Sequence, residues 1–184
     1  MPISSIESNS IAPSQTLTTP IIATTMGVGG ATPSGSGSGI TFPATQSAST
    51  DANTLDDYEE GTWTPTLQNS SGSSTTGLAV YRKIGSLVFI SLQIYNKDIS
   101  AWADTALKLS LPFVVSSNLN DVITVNMPNT VSVATPLTVV FSNGSSLGEV
   151  CYRSGAANYS ALLRSQISNN TQTSIYLNGC YTTS

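Results

Sequence analysis

Hydrophobic and polar positions alternate with a period of two over much of the chain beyond residue 60, the spacing of a strand with one buried face. In Leu87-Val88-Phe89-Ile90-Ser91-Leu92-Gln93-Ile94-Tyr95, the residues Val88, Ile90, Leu92 and Ile94 share one face, while the other runs from Leu87 and Phe89 to Ser91, Gln93 and Tyr95. This predicts a long strand whose first end is buried on both sides. Leu107, Leu109 and Leu111 alternate with Ala106, Lys108 and Ser110, and Pro112, which cannot donate to a ladder, ends the run. Further strands are predicted over Leu78–Ile84, Val122–Met127, Leu137–Phe141, Gly148–Tyr152, Ala161–Ile167 and Ser174–Leu177, separated by turn signals such as Asn143-Gly144, Ser154-Gly155 and Asn169-Asn170. Around Asn158–Ser165 a helical turn and a strand both fit. Short strands at intervals of about 8–15 residues indicate an all-β fold, an antiparallel sandwich of jelly-roll type.

The first third of the chain has a different pattern. From Met1 to Thr50 the only charged side chain is Glu7, and isolated aliphatics such as Ile3, Ile11, Leu17, Met26 and Ile40 stand among Ser, Thr, Gly and Pro. Prolines at positions 2, 13, 20, 33 and 43 exclude a long regular helix, and Gly35-Ser36-Gly37-Ser38-Gly39 has the composition of a flexible linker. Two readings follow. One is a disordered segment; the other is an extended stalk ordered by copies of itself or by a larger assembly, because so few apolar side chains do not repay the backbone entropy of an isolated fold. The organisation expected on the second reading is a virion-anchoring or shaft segment over 1–50, a neck over 51–66 and a β-sandwich tip over 67–184.

Composition narrows the chemistry. Only 9% of residues are charged, and the 184 residues include 30 Ser and 24 Thr, so the surface is wetted by hydroxyls and amides rather than ions. A net charge of −4 with six basic residues argues against nucleic acid, whose binding rests on Lys and Arg neutralising phosphates. No run of about 18 apolar residues is present to insert in a membrane, and the N-terminus lacks the basic-then-apolar pattern of a secretion signal; assembly in the cytoplasm is expected. Histidine is absent, which removes the usual general base and the commonest metal ligand. Cys151 and Cys180 are too few for a zinc site and form no CxxC pair. They read as reduced small hydrophobes, with a bridge between neighbouring strands as the alternative. No cofactor and no metal are expected.

Between the two regions lies Gly39-Ile40-Thr41-Phe42-Pro43-Ala44-Thr45-Gln46-Ser47-Ala48-Ser49, followed by Asn53-Thr54-Leu55-Asp56-Asp57-Tyr58-Glu59-Glu60-Gly61-Thr62-Trp63-Thr64-Pro65-Thr66-Leu67. This block resembles the junction of tailed-bacteriophage tail fibres and receptor-binding fibre proteins, in which such a string joins a repetitive stalk to a C-terminal β domain. Tyr81-Arg82-Lys83-Ile84-Gly85-Ser86-Leu87-Val88-Phe89-Ile90-Ser91 is similar to the strand pair that follows in that family, with Gly85 at the hairpin turn. The likeness covers residues 39–95. It implies a homotrimer with parallel chains, an N-terminal part joined to other virion proteins of the tail or baseplate, and a C-terminal domain that contacts the host surface. The short shaft leaves a capsid decoration protein as the alternative, with a polysaccharide-degrading tailspike hydrolase behind it.

Paired carboxylates serve glycosidases as acid and base, but Asp56, Asp57, Glu59 and Glu60 are consecutive and sit in the junction. They are expected to form a solvated collar or helix-like turn, with Tyr58 and Trp63 packing at the neck of a trimer. Asp98, Asp104, Asp121 and Glu149 are scattered. Aromatic faces beside amides hold sugars by stacking and hydrogen bonding. On that ground Trp102 with Asp104, Tyr95 and Tyr159 are the candidates for a bacterial surface glycan, with Trp102 expected to be exposed. Packing in the core or between subunits is the competing role for each. The turn Ser142-Asn143-Gly144-Ser145-Ser146 either reads a glycan or simply turns the chain.

Overall fold

The computed structural model describes residues 25–45 and 49–183, apart from 52, 56, 76, 117–120, 129–130, 134–135, 156–157 and 169. The first 24 residues of the expected anchor, and Asp56 of the acidic run, lie outside the described residues. The chain divides into two units, Met1–Thr45 and Gln46–Ser184. Among the described residues there is no α-helix, and no helix is long and apolar enough to cross a membrane.

In the first unit two short strands, β1 (Thr25–Gly27) and β2 (Gly39–Thr41), pair in parallel. Among the described residues of this unit, hydroxyls tie the chain together. Thr25 Oγ1 donates to the Ser34 carbonyl at 2.6 Å, and the Ser34 N–H donates to Thr41 Oγ1 at 3.1 Å. The aliphatics Met26 and Ile40, opposite each other in the ladder, are both exposed.

The second unit is one antiparallel sheet. Its strands are β3 (Tyr58–Trp63), β4 (Thr66–Gln68), β5 (Ser73–Thr75), β6 (Leu78–Ile84), β7 (Leu87–Lys97), β8 (Lys108–Ser110), β9 (Asp121–Asn126), β10 (Leu137–Phe141), β11 (Leu147–Arg153), β12 (Tyr159–Ala161) and β13 (Thr173–Thr182). They are ordered β3-β6-β7-β13-β9-β10-β11-β8-β4-β5, with β12 on β11. The sheet is curled. β3 opens that order and β4 stands near its far end, yet only Thr64 and Pro65 separate them, so the two ends of the order come within about 11 Å of each other there. Two seams are short: β13 with β9 shares only the pairs Tyr176–Asn126 and Leu177–Val125, and β4 with β8 only Leu67–Leu109 and Gln68–Lys108.

The period-two pattern sets which face turns inward. Val88, Ile90, Leu92 and Ile94 of β7 are buried, as are Ile175, Leu177 and Tyr181 of β13, Leu137, Val139 and Phe141 of β10, and Val150, Leu109 and Leu67 from the other half of the sheet. Each such side chain contributes about 1.5–3 kcal/mol on leaving water. The β6–β7 hairpin turns through Gly85-Ser86, with Gly85 at φ +56°, a conformation that glycine adopts without strain. β7 ends in a bulge, where Asn96 takes a left-handed φ of 52° and its N–H donates to Ser174 Oγ at 3.1 Å.

Several expectations need correction. The acidic run is not a helix-like turn over its described residues: Tyr58–Trp63 is the strand β3, fully paired with β6. The stretch Ala161–Ile167 is not a strand; β12 ends at Ala161 and a 3-10 turn covers Arg164–Gln166. β7 is not buried on both sides at its start, since Phe89 is 43% exposed in the single chain. β4 and β5 have no counterpart in the predicted elements. The expectation of reduced thiols agrees with the structure, in which Cys151 and Cys180 are free, the first buried and the second exposed.

Candidate functional site

Curling gives the second unit two outer faces of different chemistry. On the β3-β6-β7-β13 half, the outward positions fall in cross-strand rows: Tyr58, Ile84, Leu87 and Thr182; Glu60, Arg82, Phe89 and Cys180; Thr62, Val80, Ser91 and Asn178. Leu78 (71% exposed), Val80, Ile84, Phe89, Tyr58 and Tyr95 put large apolar side chains on this face, interleaved with the exposed Arg82–Glu60 ion pair, Ser91 and Asn178. A shallow depression of about 280 Å³ lies across it, between Leu78, Val80, Ser91 and Tyr176.

The other half turns a polar face outward. Val140, Glu149, Lys108, Gln68 and Ser73 follow one another across β10, β11, β8, β4 and β5. A cleft of about 310 Å³ opens there. Lys108 and Glu149 form its floor, with Lys108 Nζ 3.6 Å from Glu149 Oε2; Tyr159, half exposed on β12, is one wall, and Ser142 and Ser145 from the β10–β11 turn are another. A second cleft of about 240 Å³, lined by Gln68, Asn69, Ser70 and Thr105, shares Lys108 and Leu147 with the first. The two therefore form one groove that runs over the Lys108–Glu149 pair.

This groove presents an aromatic face, a cationic donor, an anionic acceptor and hydroxyls, a set that suits a polyol whose every hydroxyl both donates and accepts. Side chains at its margins are fixed by the fold. Ser145 Oγ donates to the Leu147 carbonyl and accepts the Leu147 N–H, and Asn69 Oδ1 accepts the N–H groups of Ser71 and Gly72. Burial, with the Glu149 carboxylate next, pushes the Cys151 thiol up to about 11, so it stays a protonated thiol in the groove and is no nucleophile near neutrality.

The candidates from the sequence are dispersed. Tyr159 lies in the groove; Tyr95 lies on the apolar face. Trp102 is not exposed. It packs against the core, so close over Gly72 that a Cβ there would stand 2.4 Å from its ring. Asp104 beside it is an internal tie, whose Oδ1 accepts the Ser165 N–H at 2.8 Å. That bond holds its carboxyl below the ordinary range, helped by the Ser165 side chain and Arg164. Of the junction pair, Tyr58 stands on the apolar face and donates to Glu60 at 3.0 Å. Trp63 packs against the core beside Tyr81, with ring centroids 6.4 Å apart.

Other carboxylates are likewise engaged. Asp121 Oδ2 accepts the N–H and hydroxyl of Thr182 at 2.8 and 2.9 Å, and Asp98 accepts the hydroxyl and N–H of Ser100, which lower its pKa in that order. Asp57, read as solvated, is buried against Lys83. Among the described residues no group of three His, Cys, Asp or Glu side chains is arranged to hold a metal ion. Lys108 is not among the residues that the sequence singles out, though its signal is there: between Leu107 and Leu109 it has to point away from the core. Compared with known proteins, the chain matches no family model and none of the curated proteins.

Proposed function

We propose that this chain is a structural virion protein of a tailed bacteriophage. It acts as a short homotrimeric fibre that joins the tail or baseplate by its N-terminal segment and adheres to a bacterial surface glycan through its C-terminal β domain. The observation that carries the reading is the division of labour between the two outer faces of one sheet. The polar groove around Tyr159, Lys108 and Glu149 suits a sugar. The face bearing Leu78, Val80, Ile84 and Phe89 suits a copy of the chain, because several large apolar side chains exposed on one face favour burial against a partner. The resemblance of residues 39–95 to fibre junctions supports the same reading.

The role is adhesive rather than catalytic. Glu149 is paired with Lys108, and the carboxylates of Asp98, Asp104 and Asp121 are engaged in structural hydrogen bonds. Weak binding at each site is multiplied by three sites in a trimer and several fibres on a particle.

Calorimetric titration of the full chain with a panel of purified bacterial surface polysaccharides tests this. A saturable heat that Tyr159→Ala weakens, with no shortening of the polysaccharide, is expected. Absence of binding across a panel drawn from the host, or chain shortening, contradicts it. Immunogold labelling of particles should mark the tail; label spread over the shell would put the capsid-cement role in its place.

A further inference from the structure

The ion pair at the entry to β3 is set out as an amide cross-link requires. Asp57 immediately precedes β3, and its carbonyl accepts the Gly85 N–H at 3.0 Å. Lys83 is an inward position of β6. Lys83 Nζ and Asp57 Oδ2 are in direct contact, and each side chain is only 7% exposed. The wall around them is aromatic: the Phe113 ring centroid lies 5.9 Å from Nζ, and the Tyr81 ring meets Phe113 edge-on at 5.0 Å. Glu59 stands directly opposite Lys83 in the β3–β6 ladder, and so on the same face of the sheet, half-buried.

Burying two full charges costs several kcal/mol of hydration that their attraction only partly returns. An amide carries no ions and keeps one donor and one acceptor, so in this apolar pocket it removes that cost. We propose that Asp57 and Lys83 are joined by an isopeptide bond formed within the folded chain. Nζ attacks Cγ of Asp57, a C–N bond forms, and one C–O bond breaks. Two of the three Nζ protons leave with that oxygen as water, so the pair has zero net charge before and after the step. Glu59, across the ladder, is the carboxylate that takes a proton from Nζ and passes it to the departing oxygen.

The bond has a mechanical consequence. Among the described strands β3 pairs with β6 alone, and its other edge has no strand partner there. Tension transmitted along the chain from the first unit enters this sheet at Asp57, ahead of every hydrogen bond of β3. A covalent tie at that point loads β6 directly and shields the edge strand from being peeled away.

Intact-mass measurement on the denatured full chain decides the matter. The wild-type protein is expected to weigh less than its sequence by one water, and Lys83→Arg and Asp57→Ala to weigh what their sequences require. A tryptic digest of the wild type should yield a branched peptide joining Asp57 to Lys83, with no cleavage after Lys83. Wild-type protein at full sequence mass, cleaved normally after Lys83, overturns the proposal. Folded Glu59→Gln should retain the full mass in most molecules; cross-linking as complete as in the wild type would overturn the role given to Glu59.

Discussion

The Tyr181 hydroxyl donates to the carbonyl of Phe113 at 3.0 Å and accepts the N–H of the same residue at 3.1 Å, so one phenol satisfies both backbone groups of a residue 68 positions away. Tyr181 is 1% exposed and meets Phe141 edge-on at 5.3 Å. Tyr181→Phe leaves a donor and an acceptor unpaired, at a cost of about 1–3 kcal/mol in urea unfolding. Tyr159→Phe, on an exposed ring, should stay within about 0.5 kcal/mol. Burial raises the Tyr181 phenol above its ordinary value of 10.0. A raised folded value means that this contribution is complete below the unfolded pKa and is lost as pH climbs beyond it. Stability of the wild type should therefore fall above pH 10.0, and that of Tyr181→Phe should fall less.

Asp104 gives the opposite sign. Its carboxyl is held below its ordinary value of 3.8, first by the Ser165 N–H, so the tie to the 3-10 turn is present above the ordinary carboxylate pKa and weakens as pH falls through the lowered one. In a pH series by NMR, the Ser165 amide should shift with a midpoint below 3.8. In Asp104→Ala that inflection should vanish.

How much of this was legible in the sequence differs by element. The alternation in β7 and the proline after Leu111 were enough to place both buried faces, and the bounds of β6 and β10 follow from their flanking turn residues. β3 was hidden because Tyr58-Glu59-Glu60-Gly61-Thr62-Trp63 has no aliphatic on either face; pairing with β6, rather than intrinsic pattern, makes it a strand. Trp102 misled because an aromatic between two strands looks like a loop tip, whereas Gly72, thirty residues earlier, leaves the space that its ring fills. The groove brings together β8, β11, β12 and the β10–β11 turn, a neighbourhood created by strand order, which local periodicity does not encode.

Within the groove, Tyr159→Ala should weaken glycan binding about tenfold, the loss of one stacking face, while stability stays within about 0.5 kcal/mol because the ring is exposed. Lys108→Met should also weaken binding. It should cost no more than about 1 kcal/mol of stability, since the Lys108–Glu149 pair is open to solvent.

Gly77 has a φ of +116°, and a Cβ there would stand 2.2 Å from the Gln93 carbonyl oxygen. Gly77→Ala should cost at least about 1–3 kcal/mol in denaturant unfolding. Gly155→Ala, with open space around it, is the control and should be nearly silent.

The fibre reading depends most on the apolar outer face being covered by copies of the chain. Sedimentation equilibrium of the full chain is the direct measurement, with Phe89→Lys and Val80→Asp placed in the middle of that face. The account predicts a wild-type mass of about three times the 19.1 kDa chain, falling toward the single-chain mass in the double variant with its fold retained by circular dichroism. A wild-type protein that sediments as a folded single chain contradicts it.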